Sequence, residues 1–131
     1  MQCETAQTIK VPKRMRGLEL FAGVGGMSLG MELGYGKDYE CAAFVERDPY
    51  CTKVLQKNWK DVPVYDDIKE FKYEKERPRI GNIDIVLGGF PCQPWSGAGK
   101  RKGSEDDRDL WPEMLRVIKS LTPRAKWIIG E

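Results

Sequence analysis

The sequence predicts an α/β domain built on a parallel sheet with helices covering its faces. Short apolar runs alternate with stretches of helical spacing, which is the pattern of strand–helix–strand units. The turns that follow the strands carry glycines or acids, the residues that open sheets place at their ligand-binding edge. The 131 residues show no internal repeat, and at 40% hydrophobic they suit one domain around one core.

Residues 1–15 are polar and unpatterned, so a flexible tail is expected there and the domain is assigned to 16–131. Leu18 to Phe21 reads as a first strand running into Ala22-Gly23-Val24-Gly25-Gly26 and then a helix through about Leu33. Cys41 to Val45 is a second, buried strand closed by Glu46. Asp48-Pro49 supplies an N-cap and a first-turn proline for a helix whose Cys51, Val54, Leu55 and Trp59 recur at helical spacing. Val62 to Tyr65 reads as a short third strand, followed by Asp66-Asp67-Ile68. The charged stretch 69–82, with Pro78 and Gly81, reads as a surface connection. Ile83 to Leu87 is a fourth strand. Glu105-Asp106-Asp107 opens a helix, with its acids at the positive end of the dipole and an apolar face of Leu110, Met114, Val117, Ile118 and Leu121. Pro123 closes it, and Trp127 to Ile129 is a fifth strand. Its apolar edge has no further strand in the sequence to cover it, so pairing with a second copy is expected.

A net charge of +2 is too mild to argue for nucleic acid by itself. Lys100-Arg101-Lys102, and Lys10, Lys13, Arg14 and Arg16, form local basic clusters that suit phosphates or solvated faces equally. Cys3, Cys41, Cys51 and Cys92 lack metal-ligand spacing, and the chain contains no histidine. Zinc held by histidine is thereby excluded, as is a Cys-His or Ser-His dyad. With no signal peptide and no long apolar run, no membrane partner and a reducing cytoplasm are expected.

One cysteine stands apart. Gly88-Gly89-Phe90-Pro91-Cys92-Gln93-Pro94-Trp95-Ser96 places Cys92 in a loop immediately after the fourth strand, between two prolines. A core-filling thiol would sit within the apolar run; this one sits at a strand's carboxyl end. Gly23, Gly25 and Gly26 join the first strand to a helix, but Ser28 occupies the third glycine position of the dinucleotide fingerprint. Glu46 follows Gly25 by 21 residues and suits a ribose acceptor. Asp67 suits the exocyclic amine of adenine with Ile68 against the ring, or equally a helix cap. Together these strand ends suggest a site for an adenine nucleoside without a pyrophosphate, such as S-adenosyl-L-methionine.

These motifs resemble the amino-terminal half of the DNA (cytosine-5)-methyltransferase family, with its Rossmann-like, class I S-adenosylmethionine-dependent fold. Phe21-Ala22-Gly23-Val24-Gly25-Gly26 resembles the first cofactor motif, Glu46 and the adjoining Arg47 the ribose segment, and Asp67-Ile68 the adenine pair. Gly89-Phe90-Pro91-Cys92-Gln93-Pro94-Trp95-Ser96 matches the catalytic loop, Arg108-Asp109-Leu110-Trp111 the next motif, and Glu131 the first letter of Glu-Asn-Val. The resemblance implies that Cys92 adds to carbon 6 of a flipped cytosine while Glu131 holds a proton at ring nitrogen 3. It implies that Gly89, Pro91 and Leu110 line the cofactor site. It implies that Gln93, Ser96, Lys100, Arg101 and Lys102 meet duplex DNA.

The family's later arginine motif, its target-recognition region and its closing cofactor motif have no counterpart in the sequence, so the fold is expected to be incomplete on its carboxyl-terminal side. The isolated chain is accordingly expected to be inactive without that half or a complementary subunit. An RNA cytosine-5 methyltransferase half and a non-catalytic S-adenosylmethionine-binding subunit are the alternatives, and Ser28 weighs against a dinucleotide oxidoreductase.

Overall fold

The computed structural model describes residues 14–89 and 110–131. Five strands, β1 Met15–Leu20, β2 Tyr39–Val45, β3 Val64–Tyr65, β4 Ile85–Gly88 and β5 Trp127–Gly130, form one sheet in the order β3-β2-β1-β4-β5. Every pairing is parallel. The order reverses between β1 and β4, the switch point of a doubly wound sheet.

Helices α1 Gly26–Tyr35 and α2 Pro49–Asn58 cover one face, where Leu55, Phe44, Ile85 and Leu87 form the core with Met27, Met31 and Trp59 against them. Helices α3 Tyr73–Ile80 and α4 Trp111–Ser120 cover the other, around Leu18, Leu20, Val86, Tyr73, Ile80, Met114 and Val117. The register of β1 on β2 shifts after Gly17, so Gly17 faces Cys41 and Leu18 faces Ala43. A side chain at Gly17 would collide with the ring of Tyr39, which is why this strand position has none.

The expected elements are present, with corrections at their ends. β1 starts at Met15 rather than Leu18, inside the span assigned to the tail, and Arg14 before it pairs with Glu40. It ends at Leu20 because Phe21 turns to φ 53. β3 is shorter than expected, and β4 begins two residues later than expected. The expected surface connection 69–82 is the largest correction, because it contains α3. Tyr73 and Ile80, seven residues apart and each 1% exposed, bury one side of α3 despite Pro78. Glu74 and Glu76 at its start and Arg77 and Arg79 at its end suit the dipole. Gly81 at φ 71 closes the helix with its N–H on the Arg77 carbonyl. The opening of the fourth helix at Glu105 lies outside the described residues, and the described helix starts at Trp111 with Pro112 in its first turn. Among the described residues no helix is long and apolar enough to cross a membrane.

Candidate functional site

The glycine turn leaves β1 through three left-handed residues, Phe21, Gly23 and Gly25, at φ 53, 55 and 84. The Ala22 N–H donates to Val45 and the Gly25 N–H to Ala22, which stitches the turn to the end of β2. Ala22 is buried, whereas Val24 and Gly26 face solvent. A side chain at Gly23 would project into open space, while one at Gly25 would strike Trp59 and Leu55. The turn is therefore open above and packed below, the form that lets a ligand approach backbone amides.

Glu46 lies across this turn. Its Oε2 accepts the Gly23 N–H at 2.6 Å and its Oε1 accepts the Asp48 N–H at 2.7 Å. A carboxylate offers about four lone-pair sites, so two remain, the number that a ribose diol needs. Arg47 is exposed beside it. Asp48 caps α2 by accepting the Cys51 N–H at 2.9 Å, which holds the carboxylate below the usual range.

The backbone continues the arrangement to β3, where the Glu46 N–H donates to Tyr65. Asp67 then turns the chain: its carbonyl accepts from Glu70 and Phe71, and its Oδ1 accepts the Lys69 N–H at 2.9 Å. The helix cap that the sequence also offered for Asp67 is not what forms: Oδ1 closes a local turn, and the next helix begins at Tyr73 with Lys72 at its N-cap. Ile68 is 5% exposed and packs into the α3/α4-side core, while Asp67 is partly exposed beside it.

Across the switch point, Gly88 lets Met114 lie against the end of β4, and Leu110 packs partly buried on the same core. Gly89 is exposed. The Glu131 N–H donates to the Gly88 carbonyl at 3.0 Å, so Glu131 stands beside the strand end that leads to Cys92. Its side chain is exposed. Pro91, Cys92, Gln93, Ser96, Lys100, Arg101 and Lys102 lie outside the described residues. Of the described cysteines, Cys41 is buried and burial pushes its thiol up to about 12, while desolvation and the Asp48 carboxylate raise that of Cys51. Both are held as thiols at neutral pH, the unreactive form.

Besides Ser28, whose place in the glycine pattern the sequence flagged, three site-supporting groups (Glu19, Trp59 and Arg116) escaped the sequence reading. Glu19 is 2% exposed beneath the turn and accepts the Ser28 N–H at 2.9 Å. Burial raises its carboxyl above the ordinary value, and bonds from Ser28 oppose that rise. The Ser28 hydroxyl, at the missing third glycine, is paired with the Tyr39 hydroxyl at 3.0 Å. Trp59 donates its indole N–H to Glu32 at 2.6 Å and so ties α2 to α1 under Gly25. Arg116 reaches from α4 to the turn after Asp67. The signal for Glu19 was available, since a charge inside an apolar strand needs a buried partner; the other two depend on long-range contacts.

Fold and strand ends together define a doubly wound α/β domain with its candidate ligand site at the carboxyl edge, where β1, β2 and β4 meet. Residues 15–131 match the family model for C-5 cytosine-specific DNA methylase, and the chain belongs to that family. It is 35% identical over 114 residues to the type II methyltransferase M.HgiBI of Herpetosiphon aurantiacus, covering 86% of this chain and 25% of that protein. It is 38% identical over 109 residues to M.NgoMIV of Neisseria gonorrhoeae, covering 82% and 33%. The crystal structure of S. pombe Dnmt2 methyltransferase shares the fold at TM-score 0.68 and 20% identity, covering 89% of this chain and 35% of that one. The chain thus spans a quarter to a third of these curated relatives.

Proposed function

We propose that this chain is the cofactor-binding and nucleophile-bearing portion of a DNA (cytosine-5)-methyltransferase. The observation that carries the reading is Glu46, held by two backbone amides with two lone-pair sites left over, directly beside an open glycine turn. S-adenosyl-L-methionine, when bound, supplies an electrophilic methyl group on a sulfonium. Phe21, Ala22, Gly23, Val24, Gly25 and Gly26 give it a backbone cradle, Glu46 accepts the ribose hydroxyls with Arg47 alongside, and Asp67 accepts from the adenine amine. The backbone around Ile68 frames the base, and Gly89, Pro91 and Leu110 close the far wall.

Cys92 adds as thiolate to carbon 6 of cytosine, which makes carbon 5 nucleophilic toward the methyl group; loss of the carbon-5 proton to water, with cleavage of the bond from carbon 6 to sulfur, then frees the product and regenerates the thiolate. Glu131 holds the proton at ring nitrogen 3 from its position beside β4. A stacked base cannot reach this thiol, so the cytosine is flipped out of duplex DNA. Gln93, Ser96, Lys100, Arg101 and Lys102 contact the DNA. The work takes place in the cytoplasm. Methyl transfer requires the region that the relatives carry beyond the matched span, supplied by the same protein or by a complementary subunit.

The test is methyl incorporation from labelled S-adenosylmethionine by this chain combined with such a region. Label at carbon 5 of cytosine in duplex DNA, lost in Cys92→Ser, supports the reading. Label in tRNA instead assigns an RNA substrate. Cofactor binding without any transfer assigns a non-catalytic subunit.

A further inference from the structure

We propose that Arg116 is a positioning residue for the adenine side of the cofactor site, an inference that rests on the reading above. Arg116 lies on α4. All three of its guanidinium nitrogens are engaged. Nε donates to Glu113 Oε2 at 2.7 Å, Nη1 to the Phe71 carbonyl at 3.1 Å, and Nη2 to the Ile68 carbonyl at 2.6 Å.

Those two carbonyls belong to one turn, the turn that carries Asp67. The Asp67 carbonyl receives the Glu70 and Phe71 N–H groups at 3.2 and 3.0 Å, and its Oδ1 receives that of Lys69. Ile68 and Phe71 are buried beneath, so the turn is packed below and gripped from the side by one guanidinium fork. Glu113 holds the fork in place from one helical turn earlier. Charge-assisted bonds of this kind are stronger and more directional than neutral ones. The Asp67 carboxylate is one residue from a gripped carbonyl, so its placement follows from Arg116. A lysine offers a point charge without the planar fork and cannot reproduce the grip on both carbonyls.

The experiment titrates the chain, by calorimetry, with S-adenosylhomocysteine and with S-inosylhomocysteine, which lacks the exocyclic amine that Asp67 would accept. The unmodified chain should prefer the adenosyl ligand. Arg116→Ala should weaken that ligand about tenfold and leave the inosyl ligand within about twofold, so that the preference collapses. Arg116→Lys should fall between the two, and it decides by the same ratio if the alanine variant does not melt cooperatively. Equal weakening of both ligands would mark Arg116 as merely structural and overturn the proposal, as would no change in either. An unmodified chain that binds both ligands alike overturns this inference but leaves the cofactor reading standing. One that binds neither removes both.

Discussion

Glu46 Oε2 accepts the Gly23 N–H at 2.6 Å, joining the end of β2 to the glycine turn that follows β1. Its second oxygen holds the amide of Asp48, the N-cap of α2. One side chain therefore fixes two loops, and it is the proposed ribose acceptor. Glu46→Ala removes both restraints and the ribose acceptor, and calorimetry should show S-adenosylhomocysteine affinity falling by at least about tenfold. Glu46→Gln, which keeps one acceptor oxygen, should fall between. Unchanged affinity in the alanine variant would remove the ribose assignment.

Glu19 gives a pH prediction. Burial lifts its folded carboxyl above the ordinary range, so the folded chain keeps this proton to higher pH than the unfolded chain. Its contribution to stability is therefore complete below the ordinary carboxylate value and is lost as pH rises through the raised folded value. Glu19→Gln keeps an acceptor for the Ser28 N–H and has no proton to lose. Urea midpoints between pH 4 and 8 should show the variant gaining on the parent as pH rises. A variant that loses ground at neutral pH would show that the ionised carboxylate is the favoured form.

Gly25 combines φ 84 with Trp59 and Leu55 pressed beneath it. Gly25→Ala brings both backbone strain and overpacking, and should cost roughly 2 kcal/mol in chemical denaturation. Gly26→Ala, where a side chain meets open space within the helix, should be neutral or mildly stabilising. Equal costs at the two positions would contradict the packing described under the turn.

β5 presents Trp127, Ile128 and Ile129 at 61%, 52% and 45% exposure on an edge of the sheet. Exposed apolar edges are templates for strand addition, and the proposed partner of this one is a second copy of the chain. Light scattering should show concentration-dependent association that Ile128→Lys reduces. A parent chain that stays monomeric at high concentration would contradict this.

The alternation of strands and helices was legible because each strand is a short apolar run ended by glycine or acid. The parallel order then follows from the crossover helices. α3 was hidden because Tyr73 and Ile80 are separated by charges and a proline, so only its tertiary burial reveals the helix. The site was legible in part. The glycine turn and Glu46 meet, at Gly23, as the spacing suggested, since the ends of adjacent strands of a doubly wound sheet are neighbours. Ile68, by contrast, turned inward to the core, because an aliphatic side chain after a short edge strand gains more by burial than by facing solvent. Ser28 looked like a defect in a glycine pattern and is instead a buried hydroxyl serving Tyr39, beneath a turn whose carboxylate no spacing rule anticipates.

The most direct measurement is covalent trapping. The chain, combined with the region that its relatives carry beyond the matched span, is incubated with S-adenosylmethionine and duplex DNA containing 5-fluorocytosine, then denatured and mapped by mass spectrometry. A methylated, DNA-linked peptide containing Cys92, absent in Cys92→Ser, is the expected result. An adduct at another residue, an adduct that persists in the serine variant, or none where a relative treated in parallel forms one, would contradict it.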